Sequence, residues 1–110
     1  MLHIKGSEIQ LTRGDTAYLN VIVTKSSDSQ TYTMKPEDTL TLTVKKTVND
    51  SDFLLQKVVE GTNTIHILPE DTSELDYGSY KYDVQLNTEE GDVFTIIEPA
   101  TFKILPEVTF

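Results

Sequence analysis

The chain has 110 residues, no cysteine and no tryptophan, and nine Lys and Arg stand against eighteen Asp and Glu for a formal charge of −9. That length suits one hydrophobic core, so residues 1–110 read as a single domain, and without thiols neither a disulfide framework nor a thiolate metal site can form. The negative charge repels phosphate backbones and anionic lipid, so neither nucleic acid nor a membrane is an expected partner.

The start, Met1-Leu2-His3-Ile4-Lys5-Gly6, lacks the apolar core of a signal peptide, and no run approaches the ~20 apolar residues of a membrane span. The expectation is a chain not exported by the usual route, with His3 in a loosely held N-terminus. From there on, apolar residues recur with period two, the spacing that puts them on one face of a strand. A first strand is expected at Glu8 to Thr12, ended by a tight turn at Arg13-Gly14-Asp15. Ala17, Leu19, Val21 and Val23 then alternate with Tyr18, Asn20, Ile22 and Thr24. The apolar residues on the second face predict a central strand.

Ser26 to Ser29 reads as a turn, and Pro36-Glu37-Asp38-Thr39 as a turn with Pro at its second position. Leu40, Leu42 and Val44 alternate with threonines, which suit an exposed strand face. After Asn49-Asp50-Ser51, weaker strand candidates cover Phe53 to Val59 and Asn63 to Leu68, parted by Glu60-Gly61. Pro69 to Leu75 predicts one helical turn, with Pro and acidic residues at its start. Tyr80, Tyr82, Val84 and Leu86 mark a clear strand, Glu89-Glu90-Gly91 a turn, and Val93 to Leu105 a long segment that Pro99 must bulge. About seven short strands with frequent turn signals predict an all-β fold, an immunoglobulin-like antiparallel β-sandwich.

Asp76-Tyr77-Gly78-Ser79-Tyr80-Lys81-Tyr82 reads like the strand of an immunoglobulin domain that carries Asp, Gly, Tyr and Cys at alternate positions. Asp76, Gly78 and Tyr80 are thus candidate corner residues, with the Tyr80 hydroxyl bonding upstream backbone. Tyr82 stands where antibody domains have cysteine, so the likeness is to the sandwich in general.

Chemistry has little to draw on. A serine or threonine nucleophile needs a base, and the two histidines are His3 and His66, the latter on the solvent face of its predicted strand. No phosphate loop or metal-binding motif occurs, and no catalytic residue, cofactor or metal is expected. Eight acidic residues from Glu70 to Asp92 face a single Lys81, a pattern read as solvated surface. The two Pro-Glu-Asp-Thr copies, Pro36 to Thr39 and Pro69 to Thr72, are expected at opposite ends of the sandwich, where they could not share one ion. Arg13-Gly14-Asp15 matches the tripeptide integrins recognise but also fits a turn with Gly at positive φ, and Asn49-Asp50-Ser51 is a glycosylation acceptor by pattern alone.

Several segments in joint order carry a resemblance. They are Leu11 to Thr16, Thr43-Val44-Lys45-Lys46, Pro69 to Thr72, Leu75 to Val84, Phe102-Lys103-Ile104 and Glu107-Val108-Thr109. In these the chain, from about Glu8 to Phe110, resembles a family of small phage and prophage structural proteins of Gram-positive bacteria, components of tail or baseplate. It is also similar to the N-terminal domain of phage baseplate upper proteins. The resemblance implies a virion component assembled in the bacterial cytoplasm, with other phage structural proteins and possible further copies of itself as partners, and no catalytic residues. The alternative is a generic immunoglobulin-like binding or adhesion domain for carbohydrate or protein. Apolar residues continue past Pro106 to the last position, which makes Val108 and Phe110 candidate interface residues.

Overall fold

A computed structural model describes residues 8–23 and 32–107, and the backbone of residues 2–5. Eight strands and one short helix occur in these segments: β1 (Leu2–Lys5), β2 (Glu8–Thr12), β3 (Ala17–Asn20), β4 (Thr39–Lys45), β5 (Leu55–Glu60), β6 (Thr64–Ile67), α1 (Pro69–Thr72), β7 (Gly78–Asn87) and β8 (Val93–Leu105). The fold is all-β, as the period-two pattern predicts. A six-stranded sheet runs β1-β2-β8-β7-β4-β5, and β3 pairs with β6 in a separate ribbon.

Alternation in the sequence becomes alternation of burial. In β4, Leu40, Leu42 and Val44 are enclosed while the threonines between them are half-buried; in β7, Tyr80, Tyr82, Val84 and Leu86 turn inward. Ile65 and Ile67 of the ribbon join Leu11, Leu40, Phe102 and Ile104 of the sheet in one core. Each large aliphatic or aromatic side chain so enclosed contributes about 1.5–3 kcal/mol. Tyr82 meets Phe102 edge-on, with ring centres 6.0 Å apart at 75°.

Three expectations are corrected. The sheet is mixed: β2 runs parallel to β8, from Ile9 opposite Phe102 to Thr12 opposite Leu105. The turn after β2 sends the chain into the ribbon, so β2 forms no hairpin with β3 and lies against the last strand instead. Nor is β3 central. It pairs with β6 alone among the described residues, and Tyr18 and Ile22 are 61% and 70% exposed. The N-terminal segment is not loose: Leu2–Lys5 forms β1, antiparallel to β2, which adds an eighth strand.

Pro99 does bulge its strand. The β7–β8 register shifts between Tyr82 and Val84 and again between Val84 and Gln85, leaving extra residues on β8. The helical turn is shorter than predicted, Pro69–Thr72, with Pro leading it and the Asp71 carboxylate accepting the Leu68 N–H at 2.7 Å. The turn expected at Ser26 to Ser29 lies outside the described residues.

Candidate functional site

Strand pairing of β4, β5, β7 and β8 brings their outward-facing residues together over a cleft of about 290 Å³. Thr43 and Lys45 come from β4, Gln56 from β5, Lys81, Asp83 and Gln85 from β7, and Pro99 from the bulged part of β8. The 46–54 connection walls one side with Val48, Ser51 and Phe53. Register places Lys45 opposite Lys81 and Thr43 opposite Asp83. Like charges directly across a strand pair repel, so the two lysines cost stability where they stand. Lys45 Nζ donates to the Asp50 carbonyl at 2.9 Å and Lys81 Nζ to Thr101 Oγ1 at 3.3 Å; among the described residues neither forms an ion pair. Burial pushes the Asp83 carboxyl up, against the pull of Lys45. The arrangement offers ammonium, amide and carboxylate groups beside an apolar wall, a surface suited to binding.

The predicted corner residues do come together. Tyr80 Oη donates to the Asp76 carbonyl at 2.7 Å across the turn that contains Gly78, whose φ is 136°. Lys46 Nζ lies 4.8 Å from the centre of the Tyr80 ring. Phe102 and Ile104 belong to the domain's own core, whereas Val108 and Phe110 lie outside the described residues.

Arg13-Gly14-Asp15 is built into the frame. The Arg13 guanidinium stacks 4.3 Å from the centre of the Tyr77 ring and donates to Tyr77 Oη at 2.9 Å and to Glu107 Oε1 at 2.7 Å. Gly14, at φ 82°, donates its N–H to the buried Thr72 hydroxyl at 2.9 Å. The hydrogen bond from Arg13 holds the Glu107 carboxyl below its ordinary range, although burial opposes it.

No family model, curated protein or solved structure matches this chain.

The two Pro-Glu-Asp-Thr copies have separate tasks. The second forms α1, where Asp71 also pairs with Lys57 at 2.9 Å. The first forms the expected turn, closed by Asp38 N–H to the Lys35 carbonyl at 3.0 Å. Its Asp38 side chain is fully enclosed, a role the sequence did not disclose beyond marking a turn. Asp38 accepts from Tyr32 Oη at 2.5 Å and from the N–H groups of Lys35 and Glu89, both at 2.9 Å. The side chain ties the β3–β4 connection to the β7–β8 turn, and the Asp38 carbonyl, accepting the Gly61 N–H at 2.8 Å, adds the β5–β6 turn. Among the described residues, no three His, Asp or Glu side chains are grouped to hold a metal ion.

His66 differs from its expected place in solvent. It is half-buried, its ring stacks on Tyr18 at 4.3 Å and 11°, and Nε2 is enclosed with no hydrogen-bond partner among the described residues. No helix among the described residues is long and apolar enough to cross a membrane.

Proposed function

We propose that the chain is a structural module that works by protein–protein contact rather than catalysis, a tail- or baseplate-associated component of a phage or prophage particle. The observation that carries the contact reading is where its exposed apolar side chains gather. Val48 and Phe53 of the 46–54 connection line the cleft, with Leu54 next in the chain, and Val93 and Phe94 stand just past the β7–β8 turn; all five are about half exposed or more. Apolar groups collected in patches rather than scattered singly mark interaction surfaces. The phage assignment draws on the segments from Leu11 to Thr109 quoted above. The strand neighbours support the immunoglobulin-like part: β8-β7-β4-β5 over β3-β6 follow the G-F-C-C′ over B-E order of such sandwiches. A charge of −9 disfavours nucleic acid and anionic membrane as partners.

Antibody raised against the chain should decorate the tail or baseplate of particles released by the strain that encodes it. Particles in which peptide mass spectrometry finds no trace of the chain would overturn the reading.

The cleft favours a second reading, a domain that binds carbohydrate or peptide. Gln56, Gln85 and Asp83 present planar polar groups that match hydroxyls and amides, and Phe53 is a half-exposed aromatic beside them. Saturable shifts of the Lys81, Asp83 and Gln85 amide resonances on adding neutral oligosaccharides would carry it; unmoved spectra would remove it.

A further inference from the structure

Two surfaces of this chain complement one another. The cleft carries Lys45 and Lys81, both outside any ion pair among the described residues, beside Val48, Phe53 and Pro99. The tip of the β7–β8 hairpin carries the reverse charge beside its own apolar pair: Glu89, Glu90 and Asp92 with Val93 and Phe94, which are 60% and 51% exposed. The tip is a built element, closed by Thr88 N–H to the Asp92 carbonyl and Gly91 N–H to the Thr88 carbonyl, and anchored through Glu89 N–H to buried Asp38. Countercharges are present on both sides, since Asp83 lies in the cleft and Lys35 reaches Glu90 at 3.2 Å, yet cations still outnumber anions in the cleft and anions outnumber cations at the tip.

Two of the other exposed apolar groups have local explanations: Tyr18 stacks on His66 and Tyr77 lies beneath Arg13, whereas Ile22 and Val58 stand singly. The cleft wall and the tip bring several such groups together, and among the described residues no ring or cation contact covers them.

We propose that the β7–β8 hairpin tip of one copy docks in the sheet-face cleft of a second copy. A single chain cannot make this contact. Lys81 and Glu89 are separated by the length of β7, about 25 Å at the rise of an extended strand. The β4–β7 register fixes Lys45 beside Lys81 at one end, with Asn87 opposite Thr39 at the other. The opposed lysines, unfavourable in the free chain, would then be neutralised by the partner's Glu90 and Asp92, while Phe94 meets Phe53 and Val48. This names a partner for the contact module proposed above and rests on that reading.

The test uses charge exchange in the full chain, followed by sedimentation velocity across a concentration series. The wild type self-associates. Lys45→Glu with Lys81→Glu makes both surfaces acidic, and Glu90→Lys with Asp92→Lys makes both basic; each doubly substituted chain weakens self-association by about tenfold or more. An equimolar mixture of the two restores assembly, because each acidic surface again faces a basic one. Should the Lys45 change unsettle the 46–54 connection, Lys81→Glu alone and Phe94→Ser each still weaken association in a chain whose melting temperature is unchanged. A wild-type monomer at every concentration, or a mixture that stays monomeric, overturns the proposal. A monomeric chain that is nonetheless found in particles overturns the self-contact and leaves the structural reading standing; absence from particles removes that reading instead.

Discussion

The hydroxyl of Tyr32 donates a 2.5 Å hydrogen bond to Oδ2 of Asp38, a carboxylate with no solvent exposure. Burial raises the Asp38 pKa, but the bonds from Tyr32 and from the N–H groups of Lys35 and Glu89 outweigh it and leave the carboxyl below its ordinary range. The same bond favours the protonated phenol, and with burial and the Asp38 charge it pushes Tyr32 up to about 12.

These shifts fix the sign of two pH effects. A depressed carboxyl stabilises the fold above its unfolded pKa and ceases to do so as pH falls through the folded one. Asp38→Asn therefore melts well below wild type at neutral pH, and the gap narrows in acid, below about pH 4. A raised phenol stabilises fully below its unfolded pKa and loses that contribution between about pH 10 and pH 12. The alkaline limb of the melting curve against pH is accordingly steeper for wild type than for Tyr32→Phe. Parallel curves would show that the bond does not couple to folding.

Tyr80→Phe removes the bond to the Asp76 carbonyl and keeps the buried ring. Urea unfolding should show a loss of about 0.5–1.5 kcal/mol with an unchanged m-value, the net worth of one hydrogen bond, and more if the carbonyl finds no water. Stability equal to wild type would mean that the corner is held by packing alone.

Arg13 and Glu107 should behave as one unit. Arg13→Lys removes the planar group that both stacks on Tyr77 and reaches Glu107, so a lysine does not replace it. Arg13→Lys and Glu107→Gln each lower the melting temperature, and the double variant falls by less than their sum. Additive losses would place the stabilisation elsewhere.

Gly61 has φ 70°, and a Cβ there would stand 3.0 Å from the Pro36 carbonyl oxygen, on the turn whose Asp38 carbonyl accepts the Gly61 N–H. Gly91 has φ 94° with open space around it. Gly91→Ala carries only the left-handed backbone cost, about 1–2 kcal/mol, whereas Gly61→Ala adds a clash with backbone. Equal losses in chemical denaturation would count against the Gly61 contact.

Period-two alternation in Leu40 to Val44 and Tyr80 to Leu86 was enough to declare strands and their inward faces, because a half-buried strand has no other way to hide apolar groups. Local chemistry likewise disclosed the Pro36 turn, the Pro69 helical turn, the bulge at Pro99 and the Tyr80 corner, each set by residues within a few positions of one another. What the sequence could not state was which strands become neighbours. The parallel β2–β8 pair, the exposed outer face of β3 and the Lys45–Lys81 juxtaposition all depend on register between distant segments. Asp38 is the sharpest case. Its neighbours Pro36 and Glu37 say only that the chain turns, and the carboxylate becomes a buried hub because folding brings Tyr32 and the N–H of Glu89, 51 positions away, to the same point. Short-range sterics and burial period are written along the chain, whereas charge neighbours and enclosed polar contacts exist only once the sheet has closed around them.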